Sequence, residues 1–149
     1  MTQSITQLPR ARVITGTAAE QELRAMGLSP SNLTRPCVEG LQSAVISHSS
    51  FEPVIAFGIS IWSKIVGALR KQLNEEDWKR HDIANAPRSV SPDGSMAIAA
   101  VGGDSQTAHA NGNPRNARLK GPRFANEIEN NAAKSSAPRY TQCRLNLGP

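Results

Sequence analysis

The sequence predicts a small α+β domain, a three-helix bundle packed on a β-hairpin, followed by a basic, poorly ordered C-terminal region. Three observations lead there. Apolar residues recur at helical spacing three times between residues 18 and 73, the period changes to that of a strand near residue 96, and beyond residue 101 both periodicity and core residues run out.

The first helix is expected from Ala18 to Met26. Thr17 and Glu20 have the spacing of a capping box, Leu23 and Met26 supply a buried side, and Gly27 offers a left-handed stop. Leu28 to Asn32 reads as a turn. Pro36 fits the first turn of a second helix, which runs to about His48 on a stripe of Val38, Leu41 and Val45, with His48 as a packing residue. The strongest pattern follows, with Ile55, Ile59, Trp62, Val66, Leu69 and Leu73 spaced 4, 3, 4, 3 and 4 apart. Pro53 places the start of this central helix near residues 53–57. Gly58 and Gly67 each weaken it by about 1 kcal/mol relative to Ala, which close packing would explain.

Residues 74–82 are polar except for Trp78, expected to fold back onto the central helix. Residues 88–101 read as a hairpin around Pro92-Asp93-Gly94, with Met96, Ile98 and Ala100 alternating against Ala97, Ala99 and Val101. Gly102-Gly103 ends it. Residues 104–123 show no period, a short helix is expected over 124–134, and the last fifteen residues are expected to fray. The organisation is a flexible N-terminus (1–16), one globular domain (17–104) and a basic tail (105–149).

With 149 residues the chain fits one ordinary domain, which excludes multi-domain enzymes. Of its thirty Leu, Ile, Val and Phe residues, twenty-five lie in residues 1–101, so the core belongs there. Residues 1–87 are nearly neutral, whereas residues 88–149 carry eight Lys and Arg against four Asp and Glu. A basic, core-poor segment suits an arm that meets nucleic acid or an acidic protein, although the same charge serves plain solubility. Cys37 and Cys143 stand far apart, with no disulfide framework and no zinc spacing, so no metal or other cofactor is expected. The longest apolar stretch, residues 53–69, is broken by Ser60, Ser63 and Lys64 and is too short to span a bilayer. The start of the chain has no apolar run, and a soluble cytoplasmic protein without a membrane partner is the expectation.

Four groups of residues could carry chemistry. Residues 22–35 resemble a helix-turn-helix, with Arg35 as the cation of a recognition helix that Pro36 would cut short; a plain helical hairpin is the alternative. Gly102, Gly103, Asp104 and Thr107 could cradle an anion or a metal, although no GK[ST] follows and a tight turn accounts for the same residues. His48, His81 and His109, with Cys37 or a serine and Asp82, Asp93 or Asp104, contain the groups of a hydrolase but share no local spacing. Arg115, Arg118, Lys120 and Arg123 could neutralise nucleic-acid phosphates, without interleaved aromatic residues for base stacking.

Trp62 with Val66, Leu69-Arg70 and Leu73, then Trp78 and Asp82, then Ser91-Pro-Asp-Gly94 with Ile98, then Gly103-Asp104 with Thr107, and finally Lys120-Gly-Pro122 form an ordered set over residues 62–122. In this order the chain resembles small uncharacterised bacterial proteins associated with phages and other mobile elements. Where that pattern has glycine before the second tryptophan and after the threonine, this chain has Asp77 and Ala108. The resemblance implies a genomic context and no named activity, cofactor or catalytic residue.

The reading that follows is a non-enzymatic accessory that binds a protein or nucleic-acid partner through the hairpin edge or the tail. A helix-turn-helix DNA-binding regulator is the first alternative, and a small hydrolase around Asp104 the second. The heptad-like central helix leaves a homodimer open.

Overall fold

The computed structural model describes residues 12–83, 86–107, 109, 111–112 and 141–143. Its elements are β1 (Arg12–Ile14), α1 (Gly16–Ala25), α2 (Pro30–Ser47), α3 (Val54–Asn74), β2 (Lys79–Ile83), β3 (Ala86–Val90), β4 (Ala97–Ile98) and β5 (Thr141–Cys143). The α+β class is as expected, with three helices and a three-stranded antiparallel sheet in the order β2-β3-β4. The described residues form two units, one of residues 12–19 with those between 103 and 143 and one of residues 20–102.

In the first unit β1 pairs in parallel with β5, with Arg12 opposite Thr141 and Ile14 opposite Cys143. Neither strand was expected. A parallel pair made from opposite ends of a chain has no hairpin turn between its strands, so no local signal marks it. The expected helix over 124–134 and the cations of residues 115–123 lie outside the described residues.

The second unit is built on an antiparallel pair, α2 against α3. Helix α1 begins at Gly16, so Thr17 lies inside the helix and does not cap it. It stops as expected. Gly27 has φ +73°, its N–H donates to the Arg24 carbonyl, and the Leu28 N–H donates to the Leu23 carbonyl. These two bonds define a Schellman stop, and the buried Leu23 and Leu28 occupy the two positions whose side chains meet across such a stop.

Helix α2 begins six residues earlier than the sequence suggested. Ser29 is its N-cap and Pro30 its first residue, while the Asn32 side chain accepts the Ser29 N–H at 2.7 Å. Pro36 therefore sits inside the helix, fully buried, where it removes one ladder hydrogen bond. The capping chemistry of Ser29, Pro30 and Asn32 fixes the start, and the helix runs through the second proline.

The face that α2 buries also differs from expectation. Asn32, Pro36, Gly40 and Ala44, four residues apart, are buried, whereas Val38, Leu41 and Val45 are exposed. Small residues let the backbones approach. A Cβ on Gly40 would come within 2.6 Å of the Ile65 Cα and backbone nitrogen. Gly58 and Gly67 have open space instead, so close packing does not explain them.

Helix α3 ends in a second Schellman stop. The Trp78 N–H donates to the Leu73 carbonyl, the Asp77 N–H to the Asn74 carbonyl, and Asp77 takes φ +62° where glycine is the usual occupant. Leu73 and Trp78, both buried, occupy the paired apolar positions of this stop, so Trp78 does fold back onto the helix. The chain then enters β2, a strand where the sequence shows only a polar stretch. Its alternation is real but polar: Arg80 and Asp82 share one face, and Lys79 and His81 the other.

The β3–β4 turn forms where Pro92-Asp93-Gly94 predicted it. The Gly94 N–H donates to the Ser91 carbonyl, the Ser91 N–H donates to the Met96 carbonyl, and the Met96 N–H donates to the Ser91 side-chain Oγ. Strand β4 is shorter than the alternation of residues 96–101 implied, pairing only Ala97 and Ile98 with β3.

Candidate interaction surface

The two ends of the α2–α3 pair are unlike. At the proximal end, where α2 begins and α3 finishes, polar side chains tie the helices together. The Asn32 amide donates to the Glu76 carboxylate at 3.3 Å, and Arg35 donates to Gln72 Oε1 at 3.5 Å. The sheet covers the same end of α3. Arg70 pairs with Asp82, which also faces Arg80 at 3.5 Å, and Val66, Leu69 and Leu73 are buried.

At the distal end the apolar stripe continues but its cover stops. From α2, Val38, Leu41, Val45 and Ile46 are exposed. From the connection and α3, Phe51 is 97% exposed and Val54 94%, followed by Ile55, Ile59 and Trp62. The connection itself is ordered by local chemistry. His48 Nδ1 lies 3.3 Å from Glu52, its ring packs on Phe57 at 4.5 Å, and Glu52 also accepts the Ser49 N–H. The indole N–H of Trp62 donates to the Ala100 carbonyl at 3.1 Å, so the chain after β4 marks the edge of the cover.

A cleft of about 480 Å³ opens beside this edge, lined by Trp62, Ser63, Val66, Gly67, Arg70, Asp82 and Pro87. Its two charged groups, Arg70 and Asp82, neutralise each other. Among the described residues, Ser63 is the only hydroxyl that lines the cleft, and no histidine does. Arg70 Nε is buried without a partner. Several residues that carry the resemblance, Trp62, Val66, Arg70 and Asp82, meet at this cleft, and Leu73 with Trp78 closes the helix below it.

The residues singled out from sequence are scattered. Arg35 is exposed on α2 and is the only Lys or Arg in that helix, bonded to Gln72. Gly102 is exposed. Asp104 accepts the Gln106 N–H at 3.0 Å through its side chain and the Thr107 N–H through its carbonyl, the pattern of a tight turn. The space where Gly103 would carry a Cβ is filled by Thr107, which brings those two residues together for packing. Arg115, Arg118, Lys120 and Arg123 lie outside the described residues. Cys37 is half-buried, and burial pushes its thiol up from the ordinary value. Asp93 serves its turn: hydrogen bonds from Ser91, then from the Ser95 N–H and hydroxyl, lower its carboxyl to about 2. That support for the turn is in place above the ordinary carboxyl range and is lost as pH falls through about 2.

Sequence reasoning missed the distal surface because the α2 stripe at spacings of 3 and 4 reads as core. The burial of the small-residue row 32-36-40-44 was the available counter-signal. Strand β2 places Lys79 and His81 on the face that carries Arg88 of β3, with His81 opposite Arg88. Among the described residues no group of three or more His, Cys, Asp or Glu could hold a metal, and no helix is long and apolar enough to cross a membrane. No family model, curated protein or solved structure matches this chain.

Proposed function

We propose that this chain is a non-enzymatic interaction module that docks a protein partner on the distal end of the α2–α3 pair, in the setting of bacterial mobile elements that its sequence resembles. One observation carries the reading: large apolar side chains from Phe51 to Trp62, with Val38, Leu41, Val45 and Ile46 of α2, are exposed on the helical pair. Monomeric soluble proteins rarely leave large apolar patches open, and where they do the patch marks an interaction site.

A photo-crosslinking amino acid placed at Phe51 of the full chain tests this. Protein adducts from position 51, with none from the exposed Glu20 of α1, are expected. Position 51 yielding no more adduct than position 20 would overturn it. A second reading, contact between the basic residues 115–123 and nucleic acid, rests on the charge excess of residues 88–149. It predicts binding that weakens steeply with salt and is lost when the chain ends near Asp104.

A further inference from the structure

We infer that the occupant of the distal end is a second copy of this chain, packed through a two-fold axis into a four-helix arrangement. This rests on the docking reading above and commits it to one partner.

The first argument is area. Nine large side chains, each from about two-fifths to almost wholly exposed, leave on the order of 1,000 Å² open between them, with Val38, Leu41 and Val45 on the side of α2 away from its small-residue row and the others on the rest of α2, the connection and the start of α3. A stable complex hides about 800 Å² on each partner, an area that the side chains exposed on both helices reach together.

The second argument is charge. Residues 38–62 contain two carboxylates, Glu39 and Glu52, and no Lys or Arg. Nucleic acid, an anionic membrane and an acidic peptide all need cations that this surface lacks. An apolar face with few charges is the complement that fits, and a second copy supplies one.

The third argument is pattern. Val38, Leu41 and Val45 on α2 and Ile55, Ile59 and Trp62 on α3 repeat at alternating spacings of 3 and 4, the seam spacing of packed helices. A two-fold interface uses the same patch twice, so a pair of antiparallel helices carrying such seams can be covered by the equivalent pair.

Sedimentation of the full chain from micromolar to submillimolar concentration tests the inference. The expected species has twice the 16.0 kDa mass of the chain. Ile55→Glu and, independently on the other helix, Val45→Glu should each weaken association at least a hundredfold while leaving the helical circular dichroism unchanged, since both residues are more than half exposed. A 16.0 kDa species at every concentration would overturn the inference. The Phe51 photoprobe then separates the two readings. Adducts of twice the 16.0 kDa chain mass support self-association, adducts with a different protein overturn self-association alone, and intramolecular adducts of 16.0 kDa, or none, overturn the docking surface as well.

Discussion

The proximal and distal halves of the α2–α3 pair share one sequence pattern and have opposite fates. Leu73 and Ile55 belong to the same stripe of α3, yet Leu73 is fully buried and Ile55 is 62% exposed. The pattern is continuous and the cover is not: β2, β3 and the strap ending at Ala100 reach only as far as Trp62. Periodicity thus says which side of a helix is apolar, and the neighbouring elements decide how much of that side becomes core. A stripe that outruns its cover is a surface prepared for something else.

Truncating the stripe at both ends breaks or sharpens this contrast most strongly. Leu73→Ala should destabilise the fold by about 2–5 kcal/mol, the range for large-to-small changes in a core. Ile55→Ala should change the stability of the isolated fold by less than about 0.5 kcal/mol, its effect appearing in association. Denaturant unfolding, with the association state checked at each concentration, compares them. Equal losses would mean that the distal end is core.

The glycines give the next largest difference. Gly40→Ala forces a methyl against the Ile65 backbone and should cost roughly 1–3 kcal/mol. Gly58→Ala, where a Cβ meets nothing, should raise stability by about 0.5–1 kcal/mol through helix propensity. Thermal unfolding of the two variants should therefore move in opposite directions.

Asp77→Gly gives the smallest expected shift. Its φ of +62° is a strained conformation for a residue with a Cβ, and glycine should stabilise the α3 stop by roughly 0.5 kcal/mol. The unfolding midpoint should rise slightly without any change in association.

Much of the fold was legible because the devices that set it are local. Gly27 as a helix stop, Pro53 as a helix start, Pro92-Asp93-Gly94 as a turn and Trp78 as a returning side chain each rest on a few adjacent residues. What was not legible depended on competition or distance. Pro36 looked like a helix start because the stronger cap at Ser29-Pro30-Asn32 was read as a turn. Strand β2 was hidden because Lys79, Arg80, His81 and Asp82 are all polar; its inward face is set by the Arg70–Asp82 pair and not by hydrophobicity. The α2 stripe was assigned to the core because nothing in its spacing reveals that Gly40 and Ala44 hold the contact with α3. The candidate site was the least legible part, since exposure of Phe51, Val54 and Ile55 is a property of what fails to cover them.

The two tryptophans provide the most direct test, because one sits at each end: Trp62 at the margin of the distal surface and Trp78 in the proximal core. Acrylamide quenching of the full chain on serial dilution measures how much of their emission is reachable. If a second copy covers the distal end, both tryptophans are shielded in concentrated solution, and dilution exposes Trp62 while Trp78 stays shielded. A quenchable fraction that stays the same while sedimentation shows the dimer dissociating would contradict it.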